Sequence, residues 1–387
     1  MPTTPAKNLL YRAALPILAP HSRGQMTHHI SGHPLTTLPN YERILAKHHV
    51  FGASLLLQDG ANCALCNTST ANPEHLAQEN TLYRVASITK MATALVTLRC
   101  IDNGLFSLDS EAASLLPGGE KNPALSGVTV RHLLCHTSGL RDLPMLDSCL
   151  KEGKPYTELL RQPEIRACAP GQQLIYSNFG FGLLGCILEQ QTGLCIEPLF
   201  QKMLFRPLHM RATLDASTLN EADIMPITRV LPYRAGQELR VTALGRHPLQ
   251  KPNPLCHYGH TAGAMYTDGR SVLQMLTLIY QRGTMDGTRL IGESLMQEMT
   301  HRQSATPTRT YGLGLVILNR PEISPRRLLG HQGFAYGCVD GAFIEEETGR
   351  AVVFLNGGAS EARTGRLGLV NRDVLQWALK QEMPSWT

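Results

Sequence analysis

Apolar residues recur along the chain with the two periods that distinguish strands from helices. Two apolar runs flank Asp59-Gly60, and this dipeptide between apolar runs is a strong signal for a β-hairpin. Residues 82–98, LYRVASITKMATALVTL, then join a polar start to a long apolar run. The spacing of these apolar residues predicts a buried helix that begins near Ser87.

The second half of the chain changes period again. Residues 176–193 carry apolar side chains at helical spacing and predict a second buried helix. Residues 267–283 predict a third helix. Residues 311–358 are rich in strand formers separated by Gly-containing turns, and residues 366–382 end the pattern with an amphipathic helix. Strands therefore lie near both ends of the chain, with helices between them.

This order of elements predicts an α/β fold of the α+β type. One antiparallel sheet is built from both chain ends, is flanked by helices, and receives a mainly helical insertion in the middle. We predict an irregular leader over residues 1–35 and a single domain over residues 36–385. Within that domain, the sheet lobe comprises residues 36–105 and 262–385, and the helical lobe comprises residues 106–261.

The composition is that of an ordinary globular protein and excludes two classes of partner. Of 387 residues, 43% are hydrophobic and 17% are charged, and the formal net charge is only +5. No dense run of Lys and Arg with interleaved aromatic residues occurs, which argues against a nucleic-acid partner. No stretch reaches the roughly 18 uninterrupted apolar residues that a membrane span needs. Composition leaves the oligomeric state open.

The cysteines and the first residues bear on the compartment. Ten cysteines are scattered without framework spacing, which predicts reduced thiols in the cytoplasm. Residues 1–20 place a short apolar patch after a lysine, but Arg12 and Pro16 interrupt the patch, so the segment is a poor signal peptide. The alternatives are export by an atypical signal in these residues and a chain that starts at Met26.

Ser87 and Lys90 lie three residues apart at the start of the first buried helix. A serine hydroxyl needs a base before it can attack a carbonyl group. A lysine one helical turn away shares its face, and the apolar run that follows predicts burial, which lowers a lysine pKa. The free N–H groups at a helix N-terminus also stabilise a developing oxyanion. The alternative is a helix cap at Ser87 and a surface residue at Lys90.

Ser148 and Lys151 have the same spacing without these surroundings. The run Glu-Gly-Lys-Pro follows Lys151, so the pattern predicts no helix to hold this pair and no apolar cover. We interpret the second pair as a chance match.

Two tripeptides downstream of Ser87 favour the catalytic interpretation of Ser87 and Lys90 over the structural one. Tyr-Ser-Asn at 176–178 opens the second buried helix, and His-Gln-Gly at 331–333 opens a strand. In this order, the three motifs resemble those of the serine hydrolases that include class C β-lactamases, D-alanyl-D-alanine carboxypeptidases and related esterases. The resemblance extends from about residue 35 to about residue 380 and includes the segments VTVRHLLCHTSGL and GHQGFAYG.

The resemblance implies catalytic roles for three residues. Ser87 is the nucleophile that the substrate acylates. Lys90 shares the serine proton with Tyr176, whose phenol acts as base in acylation and as proton donor to the leaving group. We expect neither a metal nor a cofactor in this acyl-enzyme chemistry. The structural alternative for Tyr176 is a buried aromatic residue.

The resemblance also implies substrate-binding residues. Asn178 bonds to the substrate amide or to the Lys90 amine, and His331 completes the polar wall of the site. Gly333, in the same tripeptide, is also a substrate-binding residue. The backbone N–H groups of Ser87 and Phe334 form the oxyanion hole. The structural alternatives are a helix cap at Asn178 and an ordinary strand histidine at His331.

The chain departs from the family pattern in the strand tripeptide. True β-lactamases typically have a lysine at the position of His331, where a fixed cation meets the substrate carboxylate, whereas histidine is only partly charged near neutrality. Gln332 replaces a small hydroxyl residue. We therefore expect an esterase or small-amide hydrolase with a small-molecule substrate. The alternatives are a β-lactamase or D-alanyl-D-alanine carboxypeptidase and, from another class, a non-catalytic ligand-binding protein on the same fold.

Other reactive side chains suggest chemistry less strongly. Cys63 and Cys66 form an isolated C-x-x-C in a predicted strand, where residues three apart face opposite sides. The cysteine and two histidines in the segment CHYGH, 256–260, lack a fourth ligand nearby, which disfavours zinc. His132 or His136, with Asp142, suggests a Ser-His-Asp triad, but the chain has no G-x-S-x-G motif, so we predict a structural loop there.

Overall fold

The computed structural model describes residues 5–19, 26–32, 34–35, 37–69, 77–231, 234–236 and 248–380. Its α-helices are α1 (Pro5–Leu18), α2 (Leu38–Lys47), α3 (Thr89–Asp102), α4 (Ala112–Leu115), α5 (Val130–Leu134), α6 (Leu146–Lys151), α7 (Thr157–Leu160), α8 (Asn178–Thr192), α9 (Ile196–Phe200), α10 (Gly269–Tyr280), α11 (Glu293–Thr300) and α12 (Leu369–Ala378). Short 3-10 helices lie at Ala86–Ile88, Gly119–Lys121, Pro123–Leu125, Pro163–Ile165, Ala216–Thr218 and Glu221–Asp223, and a π-helical turn, Gln201–Phe205, extends α9.

The longer strands lie toward the two chain ends, as predicted, and strands of two or three residues also lie between them. They are β1 (Thr27–Gly32), β2 (Ala53–Asp59), β3 (Asn62–Ser69), β4 (Tyr83–Arg84), β5 (Ala212–Thr213), β6 (Ile227–Arg229), β7 (Arg234–Gly236), β8 (Tyr266–Thr267), β9 (Thr284–Met285), β10 (Thr288–Arg289), β11 (Ser304–Thr306), β12 (Arg309–Tyr311), β13 (Val316–Leu318), β14 (Leu328–Ala335), β15 (Cys338–Glu345), β16 (Ala351–Asn356), β17 (Arg363–Thr364) and β18 (Leu367–Gly368).

Nine of these strands form one antiparallel sheet, in the order β1-β3-β2-β16-β15-β14-β13-β12-β11. Strand β2 from the first part of the chain pairs with β16 near the end, with Ala53 opposite Asn356, so both ends build the same sheet. The predicted hairpin joins β2 to β3: Asp59 pairs with Asn62, and Gly60 takes the positive φ of +58° that this tight turn requires. The predicted fold class is confirmed.

Successive residues of a strand point to opposite sides of the sheet, and here each side is covered by its own apolar cluster. Leu56 on β2 joins the apolar cluster that contains α3, α8 and α10, whereas Leu55 and Leu57 join the cluster that contains α2 and α12. The cysteines of β3 divide in the same way: Cys66 lies in the second cluster, and Cys63 packs against the first. The prediction that these two thiols face opposite sides is confirmed.

Helices α3 and α8 pack together at the centre of the first cluster. Helix α8 ends, as predicted, near Gly193, which caps it with φ of +67°. Its glycines allow the chain segment after residue 257 to lie directly against it, because a Cβ atom at Gly182 would lie 1.8 Å from the carbonyl oxygen of Tyr258. This contact fixes the position of the segment that includes Ala262.

The structure differs from the predicted irregular leader over residues 1–35. Leu15 of helix α1 and Ala19, just after the helix, pack in one cluster with Phe51 and Leu369, and β1 pairs with β3 at the edge of the sheet. The sequence of β1, THHISG, has no alternation of apolar and polar residues. The structure of α1 and β1 therefore depends on tertiary contacts, which the local sequence pattern does not predict. The boundaries of the two lobes stay a prediction.

No single helix in the described ranges is both long and apolar enough to cross a membrane. The segments Asn178–Thr192 and Ile196–Phe205 meet that criterion only when taken together, and they are bent by 83° relative to each other.

The close approach at Gly182 predicts a stability effect. We expect Gly182→Ala to lower the free energy of unfolding by about 1–3 kcal/mol, because the added methyl group has no room beside the Tyr258 carbonyl. The matched control is Gly180→Ala in the same helix, where the nearest atom to an added Cβ is 3.5 Å away. Urea unfolding midpoints would measure both changes, and an equal or greater loss in Gly180→Ala would contradict this account.

Candidate active site

Ser87 lies in the short 3-10 helix that leads into α3, on a backbone turn that few residues adopt. The preceding Ala86 has φ of +45°, a left-handed conformation that is uncommon for a residue with a side chain. Ser87 is partly exposed although its neighbours are buried. Strand β14 packs so closely against this turn that a Cβ atom at Gly333 would lie only 2.4 Å from the carbonyl oxygen of Val85. Glycine at 333 is therefore required for this contact.

Lys90 is fully buried, which excludes the surface alternative. Its Nζ lies 3.1 Å from Ser87 Oγ, 2.8 Å from Asn178 Oδ1 and 2.6 Å from the carbonyl oxygen of Ala262. Burial lowers the pKa of Lys90 to about 7, and the charge of Asp142 opposes that shift. The Lys90 amine is therefore neutral in about half of the molecules near neutral pH. Ser87 does not cap α3 with its side chain.

Tyr176 completes the surroundings of the Ser87 hydroxyl. Its hydroxyl donates to Ser87 Oγ at 2.8 Å, and the Lys90 Nζ lies 4.9 Å from the centre of its ring. Burial raises the pKa of Tyr176 well above its usual value. The phenol is therefore neutral at neutral pH and is a proton donor toward Ser87.

Asn178 begins α8 and is held in place by Asp142. The Nδ2 of Asn178 donates to Asp142 Oδ2 at 2.7 Å, so that its Oδ1 faces the Lys90 amine. Asp142 Oδ1 also accepts from the Phe179 backbone N–H at 2.9 Å and from the Ser177 hydroxyl at 3.2 Å. An anion at a helix N-terminus is favourable because its backbone N–H groups are free to donate. The segment around Asp142 is thus a structural loop, as predicted, but it also orients Asn178.

His331 lies on β14 beside this cluster and is buried, with 2% of its surface exposed. Its Nδ1 donates to the backbone carbonyl of Gln332 at 2.7 Å, and its Nε2 is buried without a partner among the described residues. Burial, together with the charge of Lys90, lowers the pKa of His331 to about 3. The imidazole is therefore neutral at neutral pH, and the strand tripeptide offers no cation.

Sequence reasoning missed a second buried histidine beside Tyr176. The ring centroids of His136 and Tyr176 are 4.3 Å apart, and His136 Nδ1 accepts from the Ser177 backbone N–H at 3.2 Å. Burial lowers the pKa of His136 well below its usual value. His136 supports the tyrosine through packing, and the only signal in the sequence was its place in the rejected triad.

Two cavities meet at Ser87, and both are lined by Asn178 and Phe334. The first, which we call the Tyr258 cavity, has a volume of about 350 Å³ and is also lined by Leu146, Leu150, Tyr258 and Tyr336. The second, which we call the arginine cavity, has a volume of about 270 Å³ and is also lined by Tyr176, His331, Arg309, Arg363 and Arg366. The candidate nucleophile therefore lies at the junction of two different environments, and sequence reasoning missed the arginines.

The predicted site residues are thus brought together. Ser87, Lys90, Tyr176 and Asn178 form one hydrogen-bonded cluster. Gly333 lies against the turn that carries Ser87, and Phe334 lines both cavities beside it.

The second Ser-Lys pair lies elsewhere. The prediction that no helix holds Ser148 and Lys151 is wrong, since both lie in α6. Both are exposed, and the Ser148 hydroxyl donates to the carbonyl oxygen of Met145 at 2.9 Å. The pair lacks apolar cover, as predicted, and so lacks the environment that lowers a lysine pKa.

The loop 256–260 contributes one histidine, His257, to a contact with the buried carboxylate of Glu189. His257 Nδ1 lies 2.7 Å from Glu189 Oε1, and Cys195 lies close enough that the three ligand atoms are within 4.8 Å of one another. Glu189 already accepts from the backbone N–H of Ile196 at 2.9 Å. The carboxylate thus has protein donors, and the group is well explained as a structural contact.

The fold matches that of known structures. A D-amino acid amidase from Ochrobactrum anthropi SV3 superposes with a TM-score of 0.68 at 21% identity, over 89% of this chain and 98% of that one. A penicillin-binding protein homologue from Pyrococcus abyssi superposes with a TM-score of 0.69 at 19% identity, over 89% and 78% of the two chains. At these identities the likeness shows the fold, which is that of the β-lactamases and transpeptidases.

The sequence places the chain within this fold class. Residues 40–373 match the family model described as Beta-lactamase, and the chain belongs to that family. It is 26% identical to esterase EstB of Burkholderia gladioli over 338 residues, which is 77% of this chain and 83% of EstB. The predicted resemblance is therefore confirmed.

Other relatives are matched over a smaller part of their length. The chain is 28% identical to penicillin-binding protein 4 of Amycolatopsis lactamdurans over 52% of its own length, and spans 58% of that protein. It is 24% identical to the D-alanyl-D-alanine-carboxypeptidase/endopeptidase AmpH of Escherichia coli K12 over 62% of its own length, and spans 65% of that protein.

The contact between Asp142 and the Asn178–Lys90 pair predicts a measurable shift. We expect Asp142→Asn to lower the pKa of Lys90 further, because the carboxylate charge favours the protonated amine. An NMR titration of the Lys90 Cε resonance would measure this pKa. The matched control is Asp286→Asn, an exposed turn residue, which should leave the titration unchanged. An unchanged or raised Lys90 pKa in Asp142→Asn would contradict the geometry.

Proposed function

We propose that the protein is a serine hydrolase that cleaves small esters or amides through an acyl-enzyme on Ser87. The observation that carries this proposal is the environment of the Ser87 hydroxyl. A buried lysine with a pKa of about 7 and a neutral tyrosine both lie within hydrogen-bonding distance of it. A purely ligand-binding protein has no need for a lysine whose charge is destabilised by burial.

Acylation begins with transfer of the Ser87 proton to the neutral amine of Lys90. The serine oxygen then attacks the substrate carbonyl, and the backbone N–H groups of Ser87 and Phe334 bind the developing oxyanion. Asn178, held by Asp142, keeps the amine directed at Ser87.

Collapse of the tetrahedral intermediate needs a proton on the departing atom. Tyr176 supplies it and regains a proton from Lys90, so the proton taken from Ser87 leaves with the first product. A water molecule then repeats the sequence on the acyl-enzyme and restores Ser87. Because burial raises the Tyr176 pKa, we assign the base to Lys90 and proton donation to Tyr176.

The family relatives support an ester or amide substrate without naming it. EstB is an esterase, and the structural neighbour from Ochrobactrum anthropi is a D-amino acid amidase. The uncharged His331 argues against the fixed strand cation of a true β-lactamase. The similarity to AmpH keeps D-alanyl-D-alanine carboxypeptidase activity as the second candidate, and a chromogenic ester assayed beside a chromogenic cephalosporin separates the two.

We also propose a cytoplasmic location. All ten cysteines are free thiols, and seven of them are buried. Free thiols in this number are typical of reducing compartments.

The nucleophile can be tested by labelling. We expect a fluorophosphonate to add to Ser87, as located by peptide mass spectrometry, and Ser87→Ala to lose both the adduct and ester turnover by about 10³-fold or more. Ser148→Ala removes the serine of the exposed second pair and should retain both. An adduct elsewhere, or full turnover by Ser87→Ala, would overturn the proposal.

The role of Lys90 predicts a pH dependence. Only the neutral amine accepts a proton, so kcat/KM should rise with pH through the Lys90 pKa of about 7 and then level off. Lys90→Met should lose about 10²-fold or more in kcat/KM, whereas Lys151→Met should keep the wild-type rate and profile. A rate that falls as pH rises from 6 to 8 would exclude Lys90 as the base.

A further inference from the structure

The arginine cavity gathers three cationic side chains beside the candidate nucleophile. Arg309 belongs to β12, Arg363 to β17, and Arg366 to the turn before β18. These residues come from two parts of the chain, the nine-stranded sheet and the separate β17–β18 hairpin, which meet at this cavity. Arg309 has its guanidinium carbon 5.5 Å from the centre of the Tyr176 ring, and Arg363 has its own 3.9 Å from the centre of the Phe334 ring.

Two of these charges lack a carboxylate partner in the described part of the chain. No Asp or Glu oxygen among those residues lies within 4.0 Å of the side-chain nitrogens of Arg309 or Arg366. The Nε of Arg309 is buried and has no hydrogen-bond acceptor among the described residues. Arg363 differs, because the charge of Glu361 acts on it. Among the described residues, the cavity therefore has two arginines without a carboxylate partner, the half-buried Arg309 and the exposed Arg366.

The arginines also act on one another. The charge of Arg309 lowers the pKa of Arg366, after a larger effect of burial, and both Arg366 and Arg309 lower the pKa of Arg363. Like charges that line one cavity repel, and a bound anion relieves that repulsion.

Gln332 fixes the turn that carries Arg366. Its Nε2 donates to the Arg366 carbonyl oxygen at 2.5 Å, and its Oε1 accepts from the Gly368 backbone N–H at 3.1 Å. The residue that replaces a small hydroxyl in the strand tripeptide thus anchors an arginine. The cation that His331 does not provide is present on a neighbouring element instead.

The position of Tyr176 indicates that the leaving group of the substrate lies in the arginine cavity. Tyr176 lines this cavity and does not line the Tyr258 cavity. In the proposed mechanism Tyr176 gives its proton to the departing atom, so the leaving group lies on its side of Ser87. The acyl group then lies in the Tyr258 cavity.

We propose that the leaving group of the substrate carries two negative charges, as a dicarboxylate or phosphate does, and that Arg309 and Arg366 bind it. This inference rests on the proposed serine hydrolase function. When the Ser87 oxygen forms its bond to the acyl carbon, the bond to the departing oxygen or nitrogen breaks. That atom takes the proton from Tyr176, so the product is a dianionic alcohol or amine.

Three acetate esters test the charge of the leaving group. We suggest 5-acetoxyisophthalate with two carboxylates, 3-acetoxybenzoate with one, and neutral 3-acetoxybenzamide, all at one ionic strength because salt screens such contacts. Each kcat/KM is divided by the uncatalysed rate of the same ester. The wild type should prefer the dianion over the neutral ester by about tenfold or more, with the monoanion between them.

Substitutions locate the preference. Arg366→Gln and Arg309→Gln should each reduce the ratio of dianionic to neutral kcat/KM by about tenfold. The ratio within one variant cancels a general loss of activity. Arg302→Gln removes an exposed arginine outside the cavity and should keep the wild-type ratio. Inorganic phosphate and isophthalate, added as competitors, distinguish the two sources of a dianion, since the preferred one should inhibit the wild type more than Arg366→Gln.

The outcomes separate this inference from the proposed function. Equal rates for the three esters, or a dianion preference that persists in both arginine variants, would overturn the inference while Ser87-dependent turnover continues. A monoanion preferred to the dianion would overturn it as well. Loss of all Ser87-dependent turnover and labelling in the wild type would instead overturn the proposed function.

Discussion

The burial of one ammonium group is the constraint on which the site depends. Lys90 has no exposed surface, and a charge in that position loses its hydration unless polar groups replace it. Three oxygens do so, from Ser87, Asn178 and Ala262. They are few enough that the amine is easily deprotonated and close enough that it stays directed at the serine. The surrounding apolar core thus acts on the chemistry as well as on stability.

These three oxygens come from separate parts of the chain, and close backbone packing brings them together. Gly182 lets the segment that carries Ala262 lie on α8, and Gly333 lets β14 lie on the turn before Ser87. Asp142 links the loop after α5 to the first residue of α8. The geometry around the amine is therefore a product of tertiary contacts, with no single element able to form it.

The sequence allowed the fold class and the members of the central cluster to be predicted because both leave local signals. Hairpin, helix and tripeptide motifs are short, and their order along the chain is distinctive. The structure of residues 5–18 and 27–32 was not predictable in this way, because those elements depend on distant partners. The arginines of the second cavity leave no such signal: Arg309 and Arg366 are far apart in sequence, and only the tertiary fold places them in one cavity lining.

Strand β1 also determines which backbone groups the edge of the sheet presents to other chains. The sheet order places β1 outside β3, and a strand at the border of a sheet presents unpaired backbone groups on which another chain can add. A short polar strand with two histidines, His28 and His29, is a poor template for such addition, whereas β3 contains the apolar stretch Ala64–Cys66. The segment that looks like a leader in the sequence therefore covers the more apolar edge of β3 with a polar strand.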